Sequence, residues 1–136
     1  MNSTTSATIL ISRVILGVVL IAHGWQKFSE WGISGTADSF AAMGVPAASV
    51  AAVVAAVIEL VGGILLIAGL FTRIVGALVV LNMIGAGIFA SHFTSGILVS
   101  DGGWELVGVI AAAALLLVGV GAGAFSLDRV FLAKKS

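Results

Sequence analysis

Four stretches of this sequence, 9–28, 50–70, 74–93 and 104–123, are long and apolar enough to be membrane spans. A bilayer has a hydrocarbon core about 30 Å thick, which a helix of about 20 apolar residues crosses. No other feature constrains the fold as much, because a backbone in lipid must satisfy its own hydrogen bonds and a helix does so within one segment. The charge count agrees. Six acidic and six basic residues make up 9% of the 136, against roughly 25% in a soluble domain, too few to cover a surface facing water. The expectation is an all-α integral membrane protein forming a single membrane domain over 1–136. Its architecture is a four-transmembrane-helix bundle with a short interfacial helix between the first and second spans.

The same counts exclude several functions. With a formal net charge of zero, there is no basic excess to neutralise phosphates, and nucleic acid is excluded as a partner. The sequence has no Cys, so it makes no disulfide, thiolate metal site or cysteine-ligated iron–sulfur cluster. No metal site is expected. The first span is the weakest, since Arg13, His23 and Lys27 interrupt it. A cleaved signal peptide is the competing reading there, but it needs positive charge ahead of the apolar run, and residues 1–8 carry none besides the terminal amine.

The connections set the topology. Gly69 followed by Thr72 and Arg73 reads as a helix C-cap and then an N-cap, joining the second and third spans in a tight hairpin. In the 29–49 connection, residues 36–43 read as a short amphipathic helix stopped by Gly44 and Pro46, with Phe40 and Met43 facing the membrane. Four spans place both termini on one side, with Arg73, Arg129, Lys134 and Lys135 and with Arg13 in the inner half of the first helix. The opposite side has Lys27 beside Glu30, Asp38, Asp101 and Glu105. This asymmetry predicts cytoplasmic termini in a bacterial cytoplasmic membrane.

Helices in lipid associate through small residues. Stripes of them run along the first span (Gly17, Gly24, with Arg13 and Lys27), the second (Ala52, Ala55, Ala56, Gly62, Gly63, with Glu59) and the fourth (Gly108, Ala112, Gly119, Gly123, with Glu105). Each polar residue shares the small face and so points into the bundle. By the helical rise, Glu59 lies within about 2 Å of the membrane centre and His23 about 7 Å outward. Lys27, His92 and Glu105 lie about 13 Å outward, and Arg13 about 8 Å toward the cytoplasm. Asn82 is central. Five groups, His23, Lys27, Glu59, His92 and Glu105, therefore fill the outer half as candidates for ligand binding or proton exchange. The structural alternative is an ion-pair network of Lys27 with Glu105 and Arg13 with Glu59, the histidines being neutral hydrogen-bond partners.

The sequence from Arg13 to Lys27, R-V-I-L-G-V-V-L-I-A-H-G-W-Q-K, and M-G-V-P from Met43 resemble the DoxX family of small four-helix bacterial membrane proteins. So do E-L-V-G-G-I-L-L-I-A-G-L-F-T-R from Glu59 and G-A-G-A-F-S-L-D from Gly121. They occur in the family's order and span most of the chain. Ala122 departs from the pattern, standing where a Pro is expected between two glycines. The resemblance implies a link to quinone-dependent redox systems, including thiosulfate:quinone oxidoreductase, and to membrane complexes handling oxidative or sulfur stress. It places Arg13, His23, Gly24, Lys27, Glu59 and Arg73 on recurrent positions.

Several functions fit these residues. One is an accessory subunit of a quinone-linked oxidoreductase, with a quinone or quinol held among the five candidates and protein partners carrying out electron transfer. His23 or Lys27 would donate to the headgroup and Glu59 would exchange protons. No flavin motif is present, so this is not a complete enzyme. Another is a non-catalytic scaffold that recruits oxidative-stress or sulfur-metabolism enzymes through the 29–49 loop or the basic tail. A bis-histidine haem between His23 and His92 suffers from their mismatch in depth. A transporter would need duplicated broken helices, which are not evident, although a homo-oligomer could build a pathway. Trp25, Trp31 and Trp104 read as interfacial anchors.

Overall fold

A computed structural model describes residues 2–132; the basic pair Lys134 and Lys135, assigned above to topology, lies outside the described residues. The elements are α1 (Ser3–Trp25), a π-helical turn (Gln26–Glu30), α2 (Gly32–Ala42), α3 (Ala48–Ala68), α4 (Thr72–Phe89), α5 (Glu105–Val120) and the short α6 (Leu127–Phe131). No strand occurs among the described residues. Three helical segments are long and apolar enough to cross a membrane: Ser3–Glu30, Ala48–Ala68 and Thr72–Phe89. Glu105–Val120 is apolar but shorter, about 24 Å at 1.5 Å per residue.

Two helices stop earlier than hydropathy suggests, and both stops are conformational. α4 ends at Phe89 and the chain turns left-handed at Ser91 (φ 60°), so His92 sits in a loop turn and not at the end of a span. α5 ends at Val120, because Gly121 takes φ 78° and ψ −163°, outside any helical region.

α1 and α3 run antiparallel and in backbone contact. A Cβ on Gly17 would stand 2.6 Å from the Gly63 carbonyl oxygen, and one on Gly24 would stand 2.6 Å from the Leu60 nitrogen. The small faces expected on these two helices are therefore at the interface, with Ala52, Ala55, Ala56, Gly62 and Gly63 buried. The stripe expected on the fourth helix is not. Ala112 and Gly119 are exposed, and Val107, Ile110, Ala114 and Leu117 turn inward. The reason lies on the partner: Gly76 of α4 supplies the small residue, close against the Ala114 carbonyl, so α5 presents larger side chains. Between the two helix pairs lies an apolar core that includes Leu16, Leu20, Leu66, Val79, Met83 and Ile110. The opposite faces carry exposed Ile15, Val50, Ile64, Val109 and Leu116, as lipid-facing surfaces do.

At the end of the bundle that holds the N-terminus, Arg13 is fully buried and donates to the carbonyls of Leu66, Ile67 and Phe125. Gly69 caps α3 in the left-handed region (φ 73°), as expected. The N-cap of α4 comes from far along the chain and not from Thr72. The Asp128 carboxylate accepts from the amides of Phe71 (2.7 Å) and Thr72 (3.0 Å).

At the other end, the π-helical turn shifts the hydrogen-bond register, Trp31 N–H donating to Gln26 O. The buried Thr36 hydroxyl is 3.2 Å from the Lys27 carbonyl and 2.9 Å from that of Gly32. This tethers α2, which starts at Gly32 and not near Thr36, and which packs on α3.

Candidate functional site

Side chains on a helix lean toward its N-terminus. In the π-helical turn that continues α1, that bias carries Lys27 back toward mid-bundle, and on antiparallel α3 it carries Glu59 the opposite way, so the two converge. Lys27 Nζ lies 2.8 Å from both Glu59 carboxylate oxygens, with side chains 11% and 3% exposed. Its directed hydrogen bond is to Oε1, and buried Oε2 has no hydrogen-bond partner. It is the only ion pair among the described residues.

The expected pairings of Arg13 with Glu59 and Lys27 with Glu105 do not form, for the same reason. Arg13 leans away from Glu59 toward the α3 C-terminus. Glu105, in the first turn of α5, leans back into the loop, where Oε2 accepts from Val99 N–H at 2.9 Å. The histidines are hydrogen-bond partners: His23 Nδ1–H donates to Val19 O (2.8 Å) and His92 Nδ1–H to Gly102 O (2.7 Å).

Beside the ion pair lies a cavity of about 560 Å³ between α2, α3 and α4. Its walls are apolar, with Phe40 of α2 and Met43 just after it, Val54 and Ile58 of α3, and Leu78, Leu81 and Phe89 of α4. Phe40 and Met43, expected to face the membrane, are in the lining of this cavity, Met43 remaining exposed. The polar lining is sparse: Lys27, Glu59, Asn82, His92 and the indole of Trp31. Trp31 also has Lys27 Nζ 5.9 Å from its ring centroid.

Of the five candidates, the fold thus brings Lys27, Glu59 and His92 to one cavity. His23 and Glu105 are not in its lining. Two of the polar lining residues, Asn82 and Trp31, are not among the five candidates. Asn82 is the one amide in its apolar stretch, which was a usable signal. Trp31 reaches the cavity through the π-helical turn, for which hydropathy has no signature. Among the described residues, no group of three His, Cys, Asp or Glu side chains is arranged to hold a metal ion.

An apolar slot with a buried carboxylate, an ammonium and an amide on its wall suits a flat, mostly apolar molecule carrying hydrogen-bonding oxygens.

The DoxX family profile matches residues 8–92, which include the ion pair and the polar lining of the cavity. A Bacillus subtilis (strain 168) protein named "Putative oxidoreductase CatD" is 45% identical over 86 residues, 63% of this chain and 61% of that protein. The aligned part thus spans less than two thirds of that relative. Inner membrane protein YphA of Escherichia coli (strain K12) is 34% identical over 135 residues, covering 89% of this chain and 88% of its own. Inner membrane protein YqjF of the same strain is 28% identical over 139 residues, 96% of each. No solved structure matches the chain.

Proposed function

The chain belongs to the DoxX family of membrane proteins, and from that premise we propose that it is a membrane accessory subunit of a redox system with a quinone or quinol site in its helix bundle. The observation that carries this reading is the Lys27–Glu59 pair on the wall of an apolar cavity. A quinone supplies, when bound, an acceptor for two electrons and two protons. Within the protein, Lys27 and Asn82 donate hydrogen bonds to headgroup oxygens, and Glu59 is the group proposed to exchange protons with the quinone. The apolar walls exclude water and accommodate a ring and tail. The electrons come from a partner protein's cofactor. The name given to the Bacillus relative agrees with redox work.

The proposed setting is a single domain of four spans, α5 completing its crossing with the flanking Trp104 and the segment after Val120. Both termini face the cytoplasm, with Arg73 and Arg129 at that end, and the relatives named as inner membrane proteins support a bacterial cytoplasmic membrane.

Photolabelling with an azidoquinone in native membranes tests the site. Label is expected in α2–α4 peptides, reduced in Glu59→Gln and Asn82→Leu proteins and retained in His23→Ala. Equal labelling in all four proteins would remove the quinone reading. The second reading, a scaffold that recruits oxidative-stress or sulfur-metabolism enzymes, is favoured by one feature: Lys27 and Glu59 already compensate each other's charge.

A further inference from the structure

A second cavity, of about 760 Å³, lies at the opposite end of the bundle, where the start of α4 faces the glycine turn that follows α5. Its lining is unlike that of the first, with two guanidinium groups, Arg73 and Arg129, beside apolar Ile74, Val120 and Leu132. Arg73 is anchored at one corner. Its Nη1 donates to the Val118 and Gly119 carbonyls at the end of α5, which consumes that nitrogen and fixes the plane of the fork. The other edge, Nε and Nη2, donates to nothing among the described residues.

That edge is kept open by the backbone in front of it. Gly121 adopts φ 78°, and a Cβ there would stand 3.1 Å from Nη2 and 3.2 Å from Nε. A side chain at this position would press on the guanidinium, and glycine leaves room for it. Neither Arg73 nor Arg129 has a carboxylate within ion-pair distance among the described residues. Asp128 shares the lining, but its oxygens are taken by the Phe71 and Thr72 amides. Thr72 adds a fully buried residue in the lining whose hydroxyl has no hydrogen-bond partner.

We propose that this cavity is a headgroup site for an anionic glycerophospholipid. The Nε/Nη2 edge of an arginine matches two oxygens of a phosphate in a bidentate contact. Arg129 adds a second guanidinium to the lining, and the one carboxylate there, Asp128, is engaged by the Phe71 and Thr72 amides. Free phosphate shares that chemistry, but the apolar side favours the lipid. Ile74 is 63% exposed beside the fork, so the glycerol and acyl chains continue from the phosphate along the outer surface of α4. Basic pockets at helix ends hold anionic headgroups in this way.

Native mass spectrometry tests the proposal on full-length protein in detergent, exchanged separately with phosphatidylglycerol, phosphatidylcholine or inorganic phosphate. Phosphatidylglycerol adducts are expected to survive activation, with phosphatidylcholine retained less. Removing either cation by Arg73→Gln or Arg129→Gln is expected to lower phosphatidylglycerol retention about fivefold. Arg73→Lys, which keeps the charge and loses the fork, is expected to lower it as well. The Arg129 side chain makes no hydrogen bond to another described residue, so Arg129→Gln reads the site even if Arg73→Gln does not fold. Equal retention of the two lipids, or unchanged retention in Arg73→Lys and Arg129→Gln, overturns the proposal. If inorganic phosphate displaces the lipid at equal concentration, the site belongs to a soluble anion and the lipid assignment falls.

Discussion

Lys27 and Glu59 meet across two antiparallel helices with Lys27 Nζ 2.8 Å from each carboxylate oxygen, and they also line the cavity between α2, α3 and α4. The pair therefore has two roles that can be separated. As a strut it fixes the register of α1 against α3, next to the close approach of Gly24 to Leu60. As part of a cavity wall it offers a buried carboxylate and the ammonium that neutralises it. A strut needs only mutual compensation of charge, whereas a site needs these chemical groups.

Breaking the pair by Lys27→Met or Glu59→Leu leaves a lone buried charge and is expected to cost about 3–5 kcal/mol. Replacing both at once removes both charges and is expected to restore most of that stability. Unfolding in mixed micelles, followed by circular dichroism, measures all three proteins. The double variant then separates the roles: a quinone site loses its label in this well-folded protein, whereas a strut predicts no change in labelling.

The Gly17–Gly63 approach yields a prediction about packing. An alanine methyl at Gly17 would stand 2.6 Å from the Gly63 carbonyl oxygen, which belongs to backbone and cannot swing aside. Gly17→Ala and Gly63→Ala are each expected to destabilise by about 1–3 kcal/mol. Gly85 has open space around its position, so Gly85→Ala in α4 is expected to be neutral or better, alanine being the stronger helix former. Equal thermal midpoints for Gly17→Ala and wild type would show that the helices are not in backbone contact.

What could be read from the residues divides along a physical line. Hydropathy runs and small-residue spacing report on a single helix and its lipid exposure. They placed α3 and the start of α4 to within two residues and identified the α1 and α3 faces. Depth from helical rise reports where a Cα lies, but a lysine reaches well beyond its Cα and leans toward the N-terminus. The same arithmetic therefore assigned Glu59 to Arg13 and Glu105 to Lys27. The fourth-helix stripe failed because interface size depends on the partner, and Gly76 already provides the close approach. The cavity depends on α2 folding back over α3, which follows from a π-helical turn and one threonine hydroxyl.

Asp128 is a residue whose importance the hairpin sequence does not disclose. Its carboxylate is the N-cap of α4, while its amide donates to Gly69 O. Asp128→Ala is expected to cost about 0.5–2 kcal/mol, and Asp128→Asn less, since one acceptor survives. Hydrogen exchange at Phe71 and Thr72 reads the cap directly. Protection at those two amides that is unchanged in Asp128→Ala would mean that another group caps the helix.

Trp31 provides a spectroscopic test of whether the cavity takes a quinone. Three tryptophans cluster toward the same end of the bundle, but only Trp31 is in the cavity lining. Trp25 and Trp31 are both largely exposed, so it is the position of the ring and not its burial that sets Trp31 apart, and the Trp104 ring packs over Gly108. Quinones quench indole emission on contact, so titrating the protein with a short-chain quinone is expected to give a saturable loss of fluorescence on top of linear collisional quenching. The saturable part is expected to vanish in Trp31→Phe and to persist in Trp25→Phe and Trp104→Phe. Glu59→Gln keeps Trp31 and is expected to shift the midpoint to higher quinone concentration. A saturable component that survives in Trp31→Phe would move the binding site away from this cavity, and purely linear quenching in wild type would leave Trp31 as a membrane anchor.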